Sequence, residues 1–203
     1  KNILNSKSGI GDISLFNAEN CACKIAGEVK EVKDGQEANE DILDINQYIE
    51  EKERRKMDRF IHFAIAASDQ AIQDSGWKPQ TEEEKYRTGV MIGSGIGGLP
   101  MIEKTVIAMK ERGAKRISPF FIPASLINLA SGQVSIKHGY MGVNHACVTA
   151  CASGNHAIGD SVRMIEFGDV DVMVCGGAES AICESGIGGF SALRALSTKF
   201  NES

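Results

Sequence analysis

The chain has 203 residues, with 22 Lys and Arg against 27 Asp and Glu and a formal net charge of −5, a balance that excludes a generally basic nucleic-acid binder. Hydrophobic residues make up 42% and charged residues 24%, which excludes disorder, collagen and coiled coil as whole-chain readings and suffices for one large domain or two small ones. Apolar runs such as Phe120 to Pro123 and Val170 to Cys175 fall far short of the roughly 18 residues of a membrane span, so no span is expected. Six cysteines without a C-x-x-C pair suit a reducing compartment better than a disulfide scaffold. Because the chain opens on Lys1 and closes on Ser203 just after a hydrophobic segment, sequence is expected beyond both ends, and a missing targeting peptide carries no information.

In chain order, a short helix end covers Asn2 to Asn5, an extended segment Cys21 to Val32, and a polar, acidic loop Asp34 to Asp44 reads as a solvated insertion. From Glu50, Met57, Phe60, Ile61, Ala64, Ala71 and Ile72 recur at three- and four-residue steps, predicting one long amphipathic helix stopped by Gly76 and Pro79. Gly89 to Ile92 reads as a buried strand entering the glycine loop Gly93 to Gly98, followed by a helix from Leu99 to Arg112. The unit recurs: a strand Ala146 to Ala150 runs into a helix starting near Cys151, and a strand Val170 to Cys175 runs into Gly176-Gly177. Such alternation predicts an α/β fold, and no fixed-period repeat is present.

Two segments could carry chemistry. Residues 93–98 satisfy G-x-G-x-x-G between strand and helix, but the acidic residue expected about twenty positions later is missing. Close approach of two backbones is the favoured reading of those glycines. The second segment is Thr149-Ala150-Cys151-Ala152-Ser153-Gly154, where Cys151 falls on a strand-to-helix turn. There the helix dipole and spare amide N–H groups would stabilise a thiolate. By spacing alone, a reactive thiol and a buried structural cysteine remain equally open. No local histidine fits as its base: His156 would project from another helix face, His145 lies about 20 Å upstream along an extended strand, and nothing aims His62 or His138 at Cys151. The remaining cysteine spacings do not make a zinc site, so no metal is expected.

Taken together, several motifs resemble the β-ketoacyl-[acyl carrier protein] synthases, in particular the type II elongating condensing enzymes. They are Arg55-Lys-Met-Asp-Arg-Phe60, Ile92 to Gly98, Ser118-Pro-Phe-Phe-Ile-Pro123, Thr149 to Gly154, Gly168 to Met173, Gly176-Gly-Ala-Glu179 and Ala195-Leu-Ser-Thr198. The resemblance spans nearly the whole chain. It implies a thiolase-like, five-layered αβαβα architecture built from two similar halves, of which residues 1–203 are the first, the second lying outside this chain. It also implies a decarboxylating Claisen condensation without a cofactor. Cys151 would be the acyl-accepting nucleophile and its backbone N–H an oxyanion donor, while two histidines, a lysine and the rest of the oxyanion hole would come from the second half.

By the same resemblance, Ile96, Phe121 and Phe190 line the acyl pocket, and Lys52, Arg55, Lys56, Lys115, Arg116 and Arg194 receive an acidic acyl carrier protein. Partners would be that carrier, acyl and malonyl thioesters and a second copy in a homodimer. The location would be the cytoplasm, or an organelle in a eukaryote. The alternative is that each aromatic or aliphatic position simply fills a core and that the cations are a solvated mixed-charge face beside Glu50, Glu51 and Glu53. The chain departs from the family pattern at Gly142-Val143-Asn144, where Gly-Pro-Asn is usual, and at Cys147, where an aliphatic residue is usual. An inactive fragment and a polyketide-type ketosynthase subunit stand as alternatives.

Overall fold

The computed structural model describes residues 2–32 and 41–201. They divide into two compact units, Ile45–Ser180 and a smaller one drawn from Lys1–Asp44 and Ala181–Ser203. In the smaller unit, β1 (Ile10–Asp12) and β2 (Ile25–Gly27) pair antiparallel, and a helix spans Glu184–Ala192. Asn201 pins the extended segment, accepting from the Lys24 N–H and donating to the Ala22 carbonyl, both at 2.9 Å. Of the acidic stretch expected over 34–44, residues 34–40 lie outside the described residues. The remainder is tied down: Asp41 accepts from Asn2 and Lys7, and Leu43 exchanges backbone hydrogen bonds with Lys30 and Val32.

The larger unit corrects the expectation of one long helix from Glu50. A short α1 (Glu51–Arg54) is followed by a break, and α2 (Arg59–Ser75) begins afresh. Asp58 is the reason. Its buried carboxylate caps α2 by accepting from the Phe60 N–H at 3.3 Å and also accepts from the Met101 N–H at 2.9 Å. The backbone leaves helical geometry to present both oxygens. Burial pushes the Asp58 carboxyl above its ordinary range, and the two N–H donors oppose that shift. Gly76, at φ 69°, closes α2 in the left-handed conformation, and α3 (Glu82–Tyr86) starts with a Thr81/Glu84 capping box.

Next come β3 (Thr88–Gly93), α4 (Leu99–Arg112), α5 (Phe121–Ser125), α6 (Leu129–His138), β4 (Asn144–His145), α7 (Ser153–Glu166) and β5 (Val172–Gly177). The three strands form a parallel sheet in the order β4-β3-β5. All six residues of the central β3 are buried. Alternate side chains of a strand point to opposite faces, so this burial requires a layer on each; α6 and α7 both pack on β3, and α2 packs on α6. Beside the start of β3, Arg87 grips Asp171 through Nε and Nη2 at 3.0 and 2.6 Å and reaches the Gly168 and Asp169 carbonyls at 2.7 and 3.0 Å. The guanidinium holds the Asp171 carboxyl below its usual range.

Two strands differ from expectation. The last strand is shifted to Val172–Gly177 because Arg87 holds residues 168–171 in a turn. No strand covers the expected 146–150; the pairing ends upstream at Asn144–His145, and a single hydroxyl explains it. Val90 N–H donates directly to the Val143 carbonyl at 2.8 Å, but the next ladder rung is interrupted. Instead the Ile92 N–H donates to Ser131 Oγ at 2.8 Å, and Ser131 Oγ donates to the His145 carbonyl at 2.6 Å. The fully buried Ser131 thus wedges the chain after His145 away from the sheet. Ser131→Ala leaves the Ile92 N–H orphaned and is expected to cost about 1–3 kcal/mol in urea unfolding; a loss near zero contradicts the wedge.

Candidate active site

Freed from β3, the chain climbs through residues 146–152 to α7, and Cys151 stands exposed one residue before the helix cap at Ala152. The helix therefore starts two residues later than the sequence suggests. The turn is strained: Ala150 has φ 50°, a left-handed conformation costing an L-residue roughly 1–2 kcal/mol. Ser153 holds it there. Its buried Oγ accepts from the Thr149 N–H at 2.9 Å and donates to the Ala150 carbonyl at 2.7 Å.

The elbow sits on the C-terminal ends of the parallel strands. A side chain on Gly93, the last residue of β3, would begin 2.5 Å from the Ser153 carbonyl oxygen. One on Gly177, the last of β5 and paired with Gly93, would begin 2.8 Å from the Gly154 Cα. Only glycines at those strand ends let the first turn of α7 seat so closely. Carboxyl ends of parallel strands are where α/β sheets present their ligand sites.

Beside the elbow, the loop at 93–98 is built for close approach. Glu179 Oε2 accepts from the Gly95 and Ile96 N–H groups at 2.7 and 2.9 Å, and Oε1 accepts from the Gly97 N–H and Ser94 Oγ, each at 3.2 Å. The N–H donors that a phosphate would need are engaged by a carboxylate of the chain itself. Gly98 packs on α5, its N–H donating to the Ser125 carbonyl at 3.2 Å. This brings Ile96, 37% exposed, and half-buried Phe121, the first residue of α5, to neighbouring elements.

Three of the four histidines engage other groups. His156 Nδ1 meets Thr149 Oγ1 at 3.1 Å and Nε2 meets Asp160 at 2.9 Å; His62 Nε2 meets the Arg54 carbonyl at 3.0 Å and His138 meets Asp69 at 2.7 Å. Cys147, half-buried, donates to the Ser153 carbonyl at 3.3 Å. Burial, with a smaller push from Asp160, raises its thiol above the ordinary range. Among the described residues, no group of three or more His, Cys, Asp or Glu could hold a metal ion.

The basic positions differ in setting. Lys52, Arg55 and Lys56 each hold a carboxylate, of Glu50 at 2.8 Å, of Glu51, and of Glu53 at 2.7 Å. Lys56 also lies 5.5 Å from the centroid of the Phe120 ring. Lys115 and Arg116 are exposed on a 3-10 turn (Ala114–Arg116), and Arg116 lines a surface hollow with Arg112 and Ala108. In the smaller unit, Phe190 is half-buried on the helix Glu184–Ala192, and Arg194 is exposed with φ 56°. Ser131, Ser153 and Glu179 were not singled out from sequence. The signals present were Ser153 inside the Thr149–Gly154 motif and Glu179 closing the Gly176–Glu179 motif, two residues past the strand end.

The family model "Beta-ketoacyl synthase, N-terminal domain" matches residues 1–203. The chain belongs to the β-ketoacyl synthase family. It is 47% identical over 200 residues to 3-oxoacyl-[acyl-carrier-protein] synthase 2 of Rhizobium meliloti strain 1021, covering 98% of this chain and 47% of that relative. It is 56% identical over 144 residues to the mitochondrial 3-oxoacyl-[acyl-carrier-protein] synthase of Arabidopsis thaliana, covering 71% of this chain and 31% of the relative. The chain thus spans half or less of the length of these curated relatives. Among solved structures, the ishigamide ketosynthase/chain length factor superposes with TM-score 0.81 at 22% identity, over 97% of this chain and 46% of the other, a likeness of fold alone. The fold is thiolase-like. A type II polyketide acyl-carrier protein in complex with its ketosynthase gives TM-score 0.67 at 25% identity, over 76% of this chain and 44% of the other. No helix among the described residues is long and apolar enough to cross a membrane.

Competitive alkylation with limiting iodoacetamide near neutral pH is expected to label exposed Cys151 first, ahead of half-buried Cys21, Cys147 and Cys175 and buried Cys23 and Cys183. Peptide mass mapping checks the order, and Cys147 labelling before Cys151 contradicts it.

Proposed function

We propose that this chain is the nucleophile-bearing half of a β-ketoacyl-[acyl carrier protein] synthase that elongates fatty acyl chains. The observation that carries the reading is the exposed Cys151 on a strained elbow, braced by Ser153, at the carboxyl ends of a parallel sheet. Its relatives' names and the family match support the activity; the site residues rest on the geometry and on the motif resemblance.

In this mechanism, the Cys151 thiolate attacks the carbonyl carbon of an acyl-carrier thioester, and the carrier's thiolate leaves and takes up a proton. A malonyl-carrier thioester then loses carbon dioxide, leaving an enolate whose carbon attacks the Cys151 thioester. Cys151 departs as thiolate, and a chain two carbons longer stays on the carrier as its β-ketoacyl thioester. The Cys151 backbone N–H supplies one oxyanion donor. The second donor, two histidines and a lysine come from a second half like the one the relatives possess. Ile96 and Phe121 line the acyl channel, and a second copy of the chain completes a homodimer. The setting is a cytoplasm or organelle matrix, in keeping with bacterial and mitochondrial relatives. Full-length protein incubated with an acyl-carrier thioester is expected to carry the acyl mass on the Cys151 peptide. Cys151→Ala is expected to lower condensation roughly 10³-fold or more; acylation elsewhere overturns the reading.

Lys52, Arg55, Lys56, Lys115 and Arg116 form the carrier-binding positions of the larger unit. Because Glu50, Glu51 and Glu53 pair with the first three, they moderate attraction for an acidic carrier. Neutralising them together as Glu50→Gln, Glu51→Gln and Glu53→Gln is expected to raise the association rate about threefold to tenfold at low salt, with the gain vanishing at high salt. Stopped-flow binding checks this, and an unchanged rate counts against Lys52, Arg55 and Lys56 as a docking site.

A further inference from the structure

Glu179 closes the Gly176-Gly-Ala-Glu179 motif, and its side chain makes the densest set of polar contacts beside the elbow. Four donors converge on its two oxygens: three consecutive backbone N–H groups, of Gly95, Ile96 and Gly97, and the Ser94 hydroxyl. Ser94, itself buried, also accepts from the Gly97 N–H at 3.1 Å. The main chain next to Glu179 joins in, as the Ala178 N–H donates to the Gly93 carbonyl at 3.0 Å. On its other side the loop abuts the elbow: a side chain on Gly95 would begin 3.0 Å from Glu179 Oε2 and 3.3 Å from the Ala150 carbonyl oxygen. Beyond, Gly97 and Gly98 press on Ser125, the last residue of α5, and Gly97 also on Ile127. The loop carrying Ile96 is therefore held between Glu179, the Cys151 turn and α5.

We infer that Glu179 is a positioning residue that sets which acyl chains the site accepts, by fixing the Ile96 loop against the Cys151 elbow. The inference rests on the reading of Cys151 as acyl acceptor. Glycine backbone has little preference of its own, so an external clamp decides where Ile96 stands. The clamp must be a glutamate. A carboxylate is acceptor-only with two oxygens, whereas glutamine offers one oxygen and turns an NH₂ toward further N–H donors. Aspartate is one methylene shorter and cannot span from the β5 end to all three amides. Once the grip loosens, Ile96 swings into or out of the path of a long chain, while the elbow keeps its own brace in Ser153.

The test uses full-length Glu179→Gln, with kcat/KM for a six-carbon and a fourteen-carbon acyl-carrier primer and the rate of Cys151 alkylation by iodoacetamide. Alkylation is expected within about threefold of wild type, while the ratio of long-chain to short-chain kcat/KM shifts about tenfold or more, the scale on which an apolar pocket discriminates chain length. An equal fall for both primers, or an unchanged ratio, overturns the inference. Should Glu179→Gln fail to fold by circular dichroism, Ser94→Ala removes one donor and the Gly97 brace and is expected to shift the ratio as well; no shift overturns it likewise. Wild type that fails to acylate at Cys151 sinks the underlying reading, whereas wild type that acylates with an unmoved variant ratio sinks only the role of Glu179.

Discussion

The contact on which the site depends is the seat of α7 on two strand ends. Ser153 and Gly154 lie so close to Gly93 and Gly177 that a single methyl group at either strand glycine would collide with backbone. Backbone cannot retreat as a long side chain can, so this fit fixes the position of the helix start relative to the sheet. Cys151 precedes that start by two residues and inherits its position. The dipole of α7, its first-turn amides and the thiol are aligned by packing before any substrate arrives.

Three polar side chains convert that seat into a working elbow. Ser131 ends the β3–β4 ladder by inserting its hydroxyl between Ile92 and His145. Ser153 stabilises the left-handed Ala150 by satisfying groups on both sides of it. Glu179 gathers the neighbouring glycine loop. Each satisfies main-chain groups that irregular backbone would otherwise leave unpaired. The irregularity needed to expose a nucleophile is thereby made compatible with a stable sheet edge. Backbone strain concentrated at such a turn persists only where the surroundings hold it, as they do here.

Charge is handled more quietly. Lys52, Arg55 and Lys56, on and just after α1, are matched by acidic neighbours two to four residues away, and Arg87 ties β3 to the entry of β5 through a half-buried guanidinium that makes four hydrogen bonds. Asp58, by contrast, is buried, and its value lies in joining α2 to α4 through two amide donors. That one residue also breaks what periodicity alone reads as a continuous helix.

Much was legible in the chain. The strand–turn–helix units, the α4 boundaries at Leu99 and Arg112, the Gly76 stop and the position of Cys151 on a turn follow from apolar periodicity and turn chemistry, which are local. Motif order carried the family. The break at Asp58, the short β4 and the delayed start of α7 were not legible, because each is set by a partner distant in sequence: Met101 for Asp58, Ile92 and Ser131 for the strand end, Gly93 for the helix. The same holds for Glu179, whose four donors lie more than eighty residues earlier. By itself, then, the sequence determined the strand–turn–helix unit around residues 88–112 and which thiol stands at a turn, since those depend on neighbours along the chain. Only the tertiary structure decided how that thiol is held and what flanks it, since hydrogen bonds and close backbone contacts join residues that no local pattern brings together.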